Sequence, residues 1–179
     1  MKSKNQKTPQ NSSVRGMIIK KGESYYTDLY KLLDALDGIH LNYKWLVSYP
    51  ECSAFTKETQ ALFEKEYCII SGDELTEIAK DTHQFIWGTF SAFAPDTPDE
   101  EILKYPLPEN DMYPGFWKLP LTVQHPLAQI EIVAFDSSLT LVLTRDIDFP
   151  EKFQQVYPLA QDLAEHNAKL SKYFTLEFT

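Results

Sequence analysis

At 179 residues, 43% hydrophobic and 13% aromatic, the chain has the size and composition of one globular domain with a real core, which excludes a disordered chain. Residues 1–21 carry six bases and no acid, which leaves 11 of the 17 bases against all 26 acids in the remainder, a net of −15. A domain charged in this way repels nucleic acid and anionic lipid and attracts cationic partners. No stretch approaches the roughly twenty apolar residues of a membrane span. The basic N-terminus precedes no apolar run of the secretory type. Two cysteines, Cys52 and Cys68, are too few for a disulfide framework, so a cytoplasmic protein with reduced thiols is expected.

Residues 1–13 hold nothing to bury after Met1 and are predicted to be a disordered basic tail, with a single α+β domain over 14–179. Val14–Lys20 reads as a first strand. Leu29, Leu32, Leu33 and Leu36 then recur at helical spacing, with Tyr25 or Tyr26 extending the stripe, Ser24 as its cap and Gly38 at its end. Tyr43–Tyr49 reads as a second strand stopped by Pro50. A short helix is predicted within Thr56–Glu66 and a short strand over Tyr67–Ile70. Ser71-Gly-Asp-Glu74 has the spacing of a capping box and opens a helix to about Thr82. His83–Phe93 is apolar on both alternating faces, the pattern of a central strand covered on both sides, and makes Trp87 a core residue.

Ala94–Leu127 contains seven prolines and is predicted to be irregular and packed on itself through Tyr105, Tyr113, Phe116 and Trp117. Within it, Thr97 and Pro98 lead a short acidic turn, Asp99-Glu100-Glu101. A hairpin follows, with Ile130, Ile132 and Ala134 on one face, Glu131, Val133 and Phe135 on the other, a turn at Asp136-Ser137-Ser138, and a return over Leu139–Thr144. Asp148 is placed as the cap of a last helix carrying the stripe Phe153, Val156, Tyr157, Ala160, Leu163 and Ala164, which Pro158 must kink or split. Tyr173–Phe178 reads as a closing strand. The fold class is therefore α+β, a mixed or largely antiparallel sheet with two to four packed helices.

Catalytic signatures are lacking. His40, His83, His125 and His166 are scattered rather than spaced as ligands, so no metal and no cofactor is expected. Cys68 sits in an apolar run, and Cys52 belongs to no Cys-His signature. No nucleophile elbow, phosphate loop or dinucleotide fingerprint is present. The loop is the strongest binding candidate: Asp96, Asp99, Glu100, Glu101, Glu109 and Asp111 face one base, Lys104, and are interleaved with Tyr113, Phe116 and Trp117.

Arg15-Gly-Met-Ile-Ile19, Lys44-Trp-Leu46, Ile86-Trp-Gly-Thr-Phe-Ser-Ala-Phe93 and Asp136-Ser-Ser-Leu139 resemble segments of small bacterial α+β proteins in families of unknown function. Some members of this size and acidity are similar to immunity proteins that neutralise toxins. The resemblance implies no catalytic residue. Together, residues and resemblance lead to a non-enzymatic, immunity-like or regulatory protein that docks on a basic protein partner, and not on nucleic acid or membrane. Two alternatives stand beside it: an enzyme using carboxylates or Cys52, and a structural protein without a ligand.

Overall fold

The computed structural model describes residues 13–176, so the tail expected at 1–13 lies outside the described residues except for Ser13. The strands are β1 (Val14–Ile19), β2 (Lys44–Ala54), β3 (Tyr67–Ser71), β4 (Thr82–Phe93), β5 (Ile130–Phe135), β6 (Leu139–Arg145) and β7 (Gln161–Asp162). They form one antiparallel sheet in the order β3-β2-β4-β5-β6-β1-β7. The helices are α1 (Leu29–Ala35), α2 (Lys57–Phe63), α3 (Gly72–Lys80), α4 (Asp99–Ile102), α5 (Glu151–Val156) and α6 (Leu163–Leu176), four of them with seven or more residues. The fold is α+β, and β4 lies between β2 and β5 inside the sheet, as its two apolar faces require.

Alternation along the strands divides the core in two. Trp45, Val47, Phe90, Ile132 and Val142 point to one face, where the leucines of α1, Leu75 and Ile78 of α3, and Phe153 of α5 cover them. Ile18, Val133, Leu141 and Leu143 point to the other face, beneath Phe116, Leu121, Val123 and Leu163 of α6. The proline-rich segment thus serves as a covering layer. It contains α4 and one 3-10 turn over Pro114–Trp117, and is otherwise irregular.

Several local expectations are corrected. Asp28, not Ser24, caps α1, accepting from the Lys31 amide at 3.0 Å. Tyr25 and Tyr26 stay outside the helix because the next residue, Thr27, is pinned. Its buried hydroxyl shares a 2.7 Å hydrogen bond with Thr140, and its carbonyl accepts from the Phe85 amide at 3.2 Å. Pro50 does not stop β2. Tyr49 turns to φ +50° and the register with β4 shifts between Ser48 and Glu51, so the proline falls on a bulge where no ladder donor is needed.

At α4 the cap position is Pro98 rather than Thr97, and at α5 it is Pro150. Asp148 instead pairs with Arg15. Pro158 does split the last stripe: α5 ends at Val156, β7 pairs with β1, and α6 begins at Leu163. The closing strand is absent over Tyr173–Leu176, which continue α6, since extending a helix costs less than starting a new element. Residues 177 and 178 lie outside the described residues. Trp87 is half-buried, edge-on to Phe135 at 5.1 Å. The core tryptophan is Trp45, whose indole N–H donates to the His40 carbonyl at 3.0 Å.

Candidate functional site

A proline-rich segment cannot join the ladder, so its carbonyls need other donors. The sheet supplies two of them, Ser48 and Thr89, from a buried polar row on the loop-facing side that also holds Ser91 and the acceptor Glu131, none with exposed surface. Ser48 Oγ donates to the Pro108 carbonyl at 2.7 Å and Thr89 Oγ1 to the Glu109 carbonyl at 2.9 Å. Glu131 accepts from the Gln124 amide at 3.0 Å. Gln124 in turn exchanges two 2.8 Å bonds with the Glu109 backbone. Burial pushes the Glu131 carboxyl up to about 7, against the opposing pull of the Gln124 and His125 hydrogen bonds and the Arg145 charge. His125, also buried, accepts from the Leu127 amide on Nδ1 at 3.2 Å, so Nε2 carries the proton and donates to the Ile102 carbonyl at 3.0 Å.

This anchoring separates the loop's acids. Asp99 pairs with Lys44 at 2.8 Å, beside exposed Asp96, Glu100 and Glu101. Asn110 Nδ2 donates to the Tyr49 carbonyl at 3.2 Å, which places Glu109 and Asp111 five residues further along β2, about 16 Å away at strand spacing. The aromatics divide as well. Phe116 has no exposed surface, and its carbonyl accepts from Asn167 at 2.9 Å, so it anchors the loop and offers no contact to a partner. Tyr113 and Trp117 are half-buried, Tyr113 hydrogen-bonded to Thr122 at 2.9 Å and Trp117 edge-on to Phe135 at 5.9 Å.

The second acidic group opens on a cleft of about 690 Å³ at the bulge of β2. Its walls include Tyr49, Phe63 and Trp87; Glu51, Glu64, Glu66 and Asp111 supply carboxylates, with Lys65 the one base. The bulge creates the cleft by turning Tyr49 and Glu51 out of register. Opposite it, Gly88 takes φ +152°, a backbone conformation that residues with a side chain rarely adopt. Burial, followed by the Glu66 and Glu109 charges, raises the Tyr49 phenol above its ordinary value. Glu51, Glu64, Glu66 and Trp87 were not legible as a group in the sequence, where they are spread over 37 positions. The one local signal was a proline inside an aromatic strand.

Nucleophilic chemistry finds little to work with. Burial pushes the thiols of both half-buried Cys52 and buried Cys68 up to about 11, so both stay protonated at neutral pH. Asp81 accepts from Thr56 Oγ1 at 2.5 Å, and His83 stacks edge-on to Phe55 at 4.4 Å. Among the described residues no three His, Cys, Asp or Glu side chains are grouped to hold a metal ion, and no helix is long and apolar enough to cross a membrane. Neither a curated protein nor a solved structure matches the chain. One family model does match, over residues 14–106, which span β1 through α4 and just over half of the chain. By that match the chain belongs to the family described as protein of unknown function (DUF2691).

Proposed function

We propose that this domain works by binding a basic protein partner, and that the cleft at the β2 bulge receives a cationic side chain or segment of it. The observation that carries this reading is the combination of aromatic walls with four carboxylates and a single base around one opening. Carboxylates speed the approach of a basic surface through long-range attraction, while Trp87 and Tyr49 supply rigid apolar contact once it arrives. A cation over an aromatic ring gains further when water is excluded. A bacterial cytoplasmic protein of this kind fits an immunity-like role, covering the basic site of a toxin by standing in for phosphate charge. Regulation of another basic protein uses the same chemistry. An enzyme built on Cys52 or on the loop carboxylates draws less support, since the thiol is protonated and the two acidic groups lie far apart.

Affinity capture from the native host tests the reading. The parent protein should retain a basic protein at low salt and release it at high salt. The double variant Glu66→Lys, Asp111→Lys should not retain it, and Trp87→Ala should release it faster without slowing its association. If the charge-reversed variant stays folded and captures the same protein equally well, the cleft is not the interface.

A further inference from the structure

Strand β3 is one edge of the sheet, and its sequence, Tyr67-Cys-Ile-Ile-Ser71, contains no charge and no proline. Soluble proteins ordinarily protect an edge of this kind with a charge, a proline, a bulge or a covering segment, because its free backbone groups are a template for another strand. The opposite edge, β7, is only two residues long. On β3 the pairing can be read residue by residue. Gly72 N–H donates to the Tyr43 carbonyl at 3.1 Å and Tyr49 N–H to the Glu66 carbonyl at 2.8 Å. Antiparallel pairs alternate, so Ile70 and Cys68 bond to β2, and the N–H and C=O groups of Tyr67 and Ile69 point outward. The Ser71 amide, next in that row, is already taken by Glu74 at 2.7 Å.

Two grooves flank this edge. One, of about 730 Å³, lies between α2 and α3 over Leu62, Ile69 and Ile78; the other, of about 320 Å³, lies at the start of α3 toward Pro95 and Asp99. A strand added to β3 would send alternate side chains to opposite sides, one set toward each groove. The rims are acidic: Glu58, Asp73, Glu74, Glu77 and Asp99 line them, against Lys44, which Asp99 already pairs.

We propose that β3 accepts an extended segment of a partner protein, with apolar and basic residues in alternation, as an eighth strand of the sheet. The apolar residues fill the groove over Leu62 and Ile78, and the basic ones, on the opposite side, meet Asp73 and Asp99 of the other groove. A second copy of this chain fits less well, because edge-to-edge pairing would bring two acidic rims together. The inference does not depend on the cleft at the β2 bulge, since it needs no contact with Trp87 or Asp111.

The test uses the whole protein and a capped peptide alternating valine and lysine, about eight residues to cover a typical strand. Amide hydrogen exchange is read at Tyr67 and Ile69. At about ten times the peptide's Kd, exchange at both amides should slow about tenfold, and a valine–glutamate peptide should leave it unchanged. Ile69→Pro removes an outward N–H that β2 does not use and should weaken peptide binding at least about tenfold. If that variant does not fold, Asp73→Lys with Asp99→Lys, both exposed positions on the groove that the basic side chains enter, should abolish the slowing instead. The proposal is overturned if millimolar peptide slows neither amide, if the glutamate peptide slows them equally, or if protection follows the concentration of the protein alone, which would make a second copy the occupant.

Discussion

Glu131 shows how one residue can carry both a cost and a purpose. It stands on β5 among Ile130, Ile132 and Val133, with no exposed surface, and its carboxyl fixes Gln124 and through it the backbone at Glu109. Burial holds its proton up to about 7 in the folded state, against an ordinary value of 4.5. The folded form therefore binds the proton more tightly than the unfolded form. Its contribution to stability is full below the ordinary value and is lost as pH rises through about 7. The loss is on the order of 3 kcal/mol for a shift of this size. The neighbouring His125 is pushed down, mainly by burial. Glu131→Gln should retain an acceptor for the Gln124 amide and remove the titration. Urea unfolding of parent and variant should then diverge between about pH 5 and pH 8 in favour of the variant, with the gap widening as pH rises. A gap that stays constant with pH would show that Glu131 keeps the same charge in both states.

At the scale of elements, the junction of β3 and α3 is set by two adjacent residues with different tasks. Ser71 and Glu74 form a complete capping box, with the Glu74 amide donating to Ser71 Oγ at 3.2 Å and the Ser71 amide to Glu74 at 2.7 Å. Ser71→Ala should cost about 1 kcal/mol, the usual loss for a helix cap. Gly72 is there for space: a Cβ at that position would stand 2.4 Å from the His40 carbonyl oxygen and 2.7 Å from Leu41 Cα, both backbone atoms that cannot swing aside. Gly72→Ala should therefore be the more damaging change, even though alanine is the better helix former. Thermal melts of the two variants decide the order. An alanine at 72 that matches or exceeds the parent would mean that the turn before β2 can shift away from α3.

For the molecule as a whole, the sheet is covered by unlike layers, helices on one face and a mostly irregular segment with α6 on the other. Such a segment has no ladder of its own, so its order depends on buried anchors and on donors from the sheet. Phe116 and Ile102 are the anchors, each with no exposed surface. Phe116→Ala should cost about 3–5 kcal/mol, as for any large core aromatic. It should also lower exchange protection at Leu141 and Leu143, which the anchor covers. A small loss confined to the loop would show that this layer opens independently of the sheet.

The sequence by itself determined the strand and helix periods, the α+β class, the capping box, the Asp136–Ser138 hairpin turn, where Asp136 and Ser137 both adopt positive φ, and the break at Pro158. These rest on neighbours within a few positions, which short-range spacing records. It also separated the acidic domain from the basic start of the chain. Only the tertiary structure decided that Phe116 faces inward, that Trp45 rather than Trp87 is the core tryptophan, and that the loop's acids form two groups instead of one. It likewise decided that Glu51, Glu64, Glu66 and Trp87 share a cleft and that β3 is an edge. The physical reason is that strand order and bulge geometry are fixed by pairings between distant residues, such as Glu51 with Trp87, and no local pattern encodes which distant strand a given face will meet.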